Sequence, residues 1–205
     1  TLNAGAAGLN VAVGDDAGLS MTTGVRNTLI GALAGDALTT GNNNTALGFN
    51  ALAADTLGDR AVAIGVDALA AQNFTTTTDN YNIAIGFQAG AAVSTGVDNT
   101  FIGGLAGQDV TTGQFNVFVG TDAGEQVTVG SSNVAIGRGA LEQDTKGSKT
   151  VAIGQGTLNA QNFTTATDSF NTAVGHNAGV AVTTGASNTL IGALAGDALT
   201  TGDNN

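Results

Sequence analysis

Eleven copies of one short motif constrain this chain more than any other feature. Asn27-Thr28-Leu29-Ile30-Gly31 recurs in variant form from Asn10-Val11-Ala12-Val13-Gly14 to Asn188-Thr189-Leu190-Ile191-Gly192. Its closing glycines stand at 14, 31, 48, 65, 86, 103, 120, 137, 154, 175 and 192, so the spacing is 17 residues except for two steps of 21. A fixed period of this size marks a repeat architecture in which each unit buries its core against its neighbours. The predicted fold is an all-β parallel solenoid of eleven rungs, a single continuous array over residues 1–205. At the usual strand separation it forms a rod roughly 50 Å long.

Counting from the asparagine as position 1, position 2 is Val, Thr or Ile and position 4 is Val, Ile or Leu in every rung. Alternate residues of a strand share a face, and β-branched residues suit it, so positions 2 and 4 are expected to fill the coil. Position 3 is never polar. A strand apolar on both faces is expected to be buried on both, against another wall of the coil or another subunit. A subunit is the favoured reading, which makes Leu29, Phe101, Phe118 and Leu190 the predicted subunit-facing column and self-association the first functional expectation.

Asn27, Ile30 and Gly31, with their copies Asn188, Ile191 and Gly192, read as a structural ladder. Stacked asparagines can hydrogen-bond along a parallel coil. Nine rungs keep the asparagine, and Ala61 and Thr150 replace it in the other two. Alanine follows three residues after the motif glycine in every rung but one, where Thr157 stands, and suits a tight corner. A Thr-Thr-Gly turn, as at Thr39-Thr40-Gly41, then leads to the next asparagine, and its glycine is expected at positive φ. Asp79 and Asp168 take that place in the enlarged rungs, where Asp tolerates the same region.

The array is itself duplicated. Residues 27–41 are identical to 188–202, and the segment from Val62 to Thr76 recurs closely 89 residues later, one five-rung block on. Each block carries one enlarged loop, Gln72–Tyr81 or Gln161–Phe170, with two aromatics apiece. Phe74, Tyr81, Phe163 and Phe170 are therefore the candidate partner-binding residues, since loops on one face of a solenoid often form its binding face. The competing reading has these rings packed locally to hold each loop closed.

Strands such as Val62-Ala63-Ile64-Gly65 and Val134-Ala135-Ile136-Gly137 resemble the head repeats of YadA-type trimeric autotransporter adhesins. The fuller pattern, Asn-Thr-x-Ile-Gly with Ala-Gly and Thr-Thr-Gly, is similar to repeats of bacteriophage tail fibres. The resemblance implies a left-handed β-roll, a side-by-side homotrimer and attachment to surfaces. The chain departs from the adhesin heads in its 17-residue rungs and its insertions, and it shows no heptad stalk and no membrane anchor. It starts at Thr1 in mid-pattern, and is expected to be an excerpt of a longer extracellular fibre at a cell or virion surface.

Five basic against 16 acidic residues give a formal charge of −11, which disfavours nucleic-acid partners. No apolar run is long enough for membrane insertion. Cysteine is absent. No cofactor, metal or catalytic constellation is expected: His176 stands in a variable, solvent-facing column, and Asp36, Glu125, Glu142 and Asp197 share a column that other rungs do not keep. The expectation is thus a non-enzymatic structural and adhesive fibre. The alternatives are a tail-fibre module binding a host glycan or protein, and an ice-binding solenoid built on the threonine column, which the insertions interrupt.

Overall fold

A computed structural model describes residues 9–205; Thr1, with its mid-pattern start, lies outside them. Each motif copy forms a three-residue strand, from Val11–Val13 to Thr189–Ile191, and the eleven pair in sequence order as one parallel sheet. Pairing keeps the repeat register throughout, with Val11 opposite Thr28, Ala12 opposite Leu29 and Val13 opposite Ile30. The rest of each rung is turn and bend, yet its backbone also bonds to the rungs on either side. Gly18 donates to Ala34, Thr22 to Thr39 and Asn43 to Val25. Among the described residues there is no helix. The molecule is a parallel β-solenoid whose backbone polar groups are met rung to rung.

The orientation of the strand is the reverse of the one expected. Leu29, Phe101 and Phe118 are fully buried and Leu190 nearly so, all within a single chain. Position 3 therefore fills the coil and faces no partner. Positions 2 and 4 point outward and remain half-buried or exposed, as with Ile83, Ile102, Ile136 and Ile191. Side chains alternate across a strand, so with position 3 inside the coil positions 2 and 4 face out. Thr at position 2 in five rungs is compatible with a solvated face, whereas the never-polar column is the one that must be dry.

Core volume is shared between positions 3 and 9. Where position 3 is large, position 9 is glycine: a Cβ on Gly107 would stand 2.6 Å from the Phe101 ring, and one on Gly124 2.5 Å from that of Phe118. Where position 3 is Ala46, Ala63, Ala135 or Ala152, position 9 is a buried Leu52, Leu69, Leu141 or Leu158. In the three rungs where both are small, neighbouring rungs supply the bulk; Gly18 sits under Leu29, Gly90 under Phe101 and Leu69, and Gly179 between Leu158 and Leu190. Alanine at position 8 and Leu, Val or Met at position 12 complete the core in most rungs.

The asparagine ladder has a defined geometry. Asn27 donates from Nδ2 to the Gly41 carbonyl at 2.8 Å, and its Oδ1 accepts the Asn44 amide at 2.9 Å. The same pair of bonds links Asn188 to Gly202 and Asn205. Each side chain thus closes its own rung and caps the next.

The turn glycines also differ from expectation. Gly41 and its equivalents are absent from the positive-φ residues, as are Asp79 and Asp168. At Gly41 and most of its equivalents a Cβ would strike the backbone carbonyl of the following rung, and at Gly58 and Gly147 the buried Asp55 and Asp144 carboxylates. The left-handed conformation falls two residues later, at the last position of every rung, where Arg26, Asn43, Arg60, Tyr81 and Phe115 have φ between 50° and 66°.

Candidate functional site

Three features stand apart from the repeating core. They are the outer face of the sheet, the two enlarged rungs, and the corner column that ends each rung.

The outer sheet face is made of positions 2 and 4. Neither column contains a charged residue in any rung, although the chain carries a net −11. Position 4 is wholly aliphatic, and Leu47, Ile102, Ile136 and Ile191 are each more than a third exposed. Phe49, Val66 and Phe87, just past the motif glycines of three successive rungs, extend the apolar surface and are also exposed. His176 occupies the same column five rungs further on and is exposed.

Each enlarged rung shares a polar network inside the coil with the rungs on either side of it. Asp55 is fully buried at position 12, where other rungs place Leu or Val. Its Oδ1 accepts the amides of Gly58 at 3.0 Å and Phe74 at 3.3 Å, and its Oδ2 accepts Gln72 Nε2 at 2.6 Å. Gln72 Oε1 accepts Asn82 Nδ2 at 2.9 Å. Asp144, Gln161 and Asn171 repeat this chain of bonds. Burial pushes both carboxyls above the ordinary aspartate range, against the hydrogen bonds that lower them.

The network also repairs the ladder where asparagine is missing. With Ala61 in its place, the Asn82 amide donates instead to Asn80 Oδ1 at 2.9 Å. In the second copy Thr150 and Ser169 take over, and Asn171 donates to Ser169 Oγ at 3.3 Å. The inserted residues thus replace the acceptor that the substituted rung lost. Asn80 Nδ2 is the one buried side-chain polar atom without a partner among the described residues.

The four loop aromatics divide into two pairs. Phe74 and Phe163 are 5% and 6% exposed, and they hold the loop against the coil, with Phe74 lying over Gly58. For these two, local packing describes the structure and the partner-binding role does not. Tyr81 and Phe170 are half-exposed in the corner column. Arg60 lies 5.5 Å from the Tyr81 ring centre, donates to its hydroxyl at 3.1 Å and pairs with Asp79. Lys149 lies 5.2 Å from the Phe170 ring and 2.6 Å from Asp168. Each cation belongs to the preceding rung, so each cluster joins an enlarged rung to its neighbour.

Arg60, Lys149 and a third exposed ring, Phe115, did not emerge from the sequence as site residues. All stand one position before the ladder asparagine of the next rung or its substitute, a shared register visible once the rungs are aligned. The buried Asp55, Gln72, Asp144 and Gln161 carried a further signal, a switch from aliphatic to polar at position 12 alongside Leu at position 9 in the same rungs.

The threonine column spends its hydroxyl protons within the ladder. Thr39 Oγ1 donates to the Thr56 carbonyl at 3.0 Å, and Thr111 and Thr128 make the same bond to their next rungs. Among the described residues no three His, Cys, Asp or Glu side chains gather in a metal-binding arrangement, and no helix is long and apolar enough to cross a membrane. Compared with known proteins, the chain matches no family model, no curated protein and no solved structure.

Proposed function

We propose that this chain is a structural and adhesive segment of an extracellular fibre, without enzymatic activity, that assembles side by side with further copies of itself as a homotrimer. The observation that carries the reading is the outer sheet face. Two full columns along a charged rod exclude charge altogether, one of them wholly aliphatic, and they repeat at the pitch of the rungs. A second copy in parallel register would meet the same column at every rung, so burial accumulates along the length of the rod. Charge placed elsewhere keeps the outer surface of such an assembly soluble.

Multi-angle light scattering tests the reading. The expected mass is three times the 19.9 kDa of one chain. A monomer at all accessible concentrations would overturn it. A second reading, attachment to a surface through side chains that the rod displays, is favoured by the half-exposed Tyr81 and Phe170.

A further inference from the structure

We propose that the corner column bearing Tyr81, Phe115 and Phe170 is a linear track for a neutral polysaccharide, whose sugar rings stack on the three aromatic faces. The proposal rests on the surface-attachment reading and names its ligand class.

The three rings are 50%, 56% and 55% exposed and share one column, away from the sheet face that carries the other exposed rings, Phe49 and Phe87. They also occupy an unfavourable backbone site. Tyr81, Phe115 and Phe170 have φ of 50°, 60° and 50°, in the left-handed region that bulky residues avoid. The same conformation recurs at this position in every rung: Asn43, Asp98 and Asn204 tolerate it well, while Arg26, Arg60 and Lys149 adopt it as the rings do. The conformation belongs to the repeat, so the backbone does not itself call for an aromatic ring at these three positions.

The cation clusters account for part of the placement at Tyr81 and Phe170, but not at Phe115. Its column neighbours are Asp98 and Ser132, which offer no cation to stack on it. Phe115 stands two rungs beyond Tyr81 and Phe170 three rungs further, so the platforms are about 10 Å and about 14 Å apart along the rod axis. Hydrogen-bonded stacking holds that alignment rigid. Such preorganisation favours an extended chain that contacts several platforms at once.

Charge selects the ligand class. Arg60 is matched by Asp79 and Lys149 by Asp168, and Asp98 adds a further negative charge between them. From Arg60 to Phe170 the column therefore holds no unmatched cation that would attract uronate, sulfate or phosphate groups. Aromatic faces carry negative quadrupole density that attracts the C–H face of a neutral pyranose, while the flanking carboxylates can accept its hydroxyls.

The test is affinity electrophoresis of the assembled protein in gels containing dextran, yeast mannan or hydroxyethyl cellulose, with alginate and heparin as acidic probes. The variant is Phe115→Asn, which suits the left-handed backbone and removes only the ring. The expected result is retardation by at least one neutral polysaccharide and by neither acidic one, with binding about tenfold weaker in the variant. The proposal is overturned by no retardation on any neutral gel, by retardation on an acidic gel, or by equal retardation of the variant. Light scattering on the same samples separates the two readings. Normal assembly without retardation sinks the track alone, and retardation of a monomer sinks the trimer alone. A change of mass in Phe115→Asn would assign the ring to self-association, against the proposal.

Discussion

Leu52, Leu69, Leu141 and Leu158 adopt φ between 49° and 54°, a conformation that costs a non-glycine residue about 1–2 kcal/mol. Full burial of each leucine contributes about 1.5–3 kcal/mol, enough to offset that cost where position 3 has shrunk to alanine. The exchange between positions 3 and 9 leads to a specific expectation. Phe118→Ala alone should destabilise the fold by about 3–5 kcal/mol, because the cavity lies between fixed rungs. Adding Gly124→Leu should recover part of that loss by rebuilding the Ala135–Leu141 pairing found in the next rung, whereas Gly124→Leu alone should clash with the Phe118 ring. Urea melts of the single and double variants measure the coupling, and purely additive losses would show that the two sites do not share volume. At this scale the sequence was misleading in one respect. Val, Ile and Thr at positions 2 and 4 of rungs such as Thr28–Ile30 suit either face of a strand, so β-propensity alone could not orient it. The stronger signals were the absence of any polar residue at position 3 and its inverse size relation to position 9.

The enlarged rung is tied to its neighbours because inward-facing residues of successive rungs form one hydrogen-bonded chain. Asp55 accepts from Gln72, and Gln72 from Asn82, whose Oδ1 accepts the Asn99 amide at 3.0 Å. Burial raises the Asp55 and Asp144 carboxyls above their unfolded values. Between the unfolded and folded values the native state therefore binds more protons, and stability falls as pH rises through that window. Mild acidification should accordingly raise the melting temperature, until the pH drops below the unfolded value. Relief of the general acidic repulsion acts in the same direction, so the two effects need separating. An Asp55→Asn/Asp144→Asn variant should show a flatter pH dependence than the parent in circular-dichroism melts; parallel curves would exclude these carboxyls as the source. The neighbouring aromatics supply a second test. Phe74→Ala should destabilise the fold by about 3 kcal/mol because the ring is buried, whereas Tyr81→Asn should change stability by less than about 1 kcal/mol, the scale of an exposed cation–π pair. The 21-residue spacing, and its coincidence with Ala61 and Thr150, was readable from the sequence. The division between Phe74 and Tyr81 was not, because it depends on which residues of an irregular loop turn inward.

For the whole molecule, the decisive contrast is between one uncharged face and a chain whose formal net charge is −11. The proposed lateral association would bring like-charged rods together while burying the aliphatic columns, so the two contributions would oppose each other. Added salt screens the repulsion, with a Debye length near 10 Å at 0.1 M and about 3 Å at 1 M, but leaves the apolar contribution in place. Assembly through the sheet face should therefore strengthen as salt rises. Assembly held by the corner ion pairs of Arg60 or Lys149 should weaken instead. Ile102 and Ile136 lie two rungs apart on the outward aliphatic column, each 38% exposed in the single chain. Replacing both with Asp should leave the coil folded, since neither side chain enters the core, and should yield a monomer even at 1 M salt because the new carboxylates would be buried unpaired at the contact. Light scattering at several salt concentrations, with circular dichroism to confirm the fold, measures both outcomes. An unchanged oligomer in the double variant would move the contact away from the strands and onto the corners, the same surface that the polysaccharide track would need to keep open.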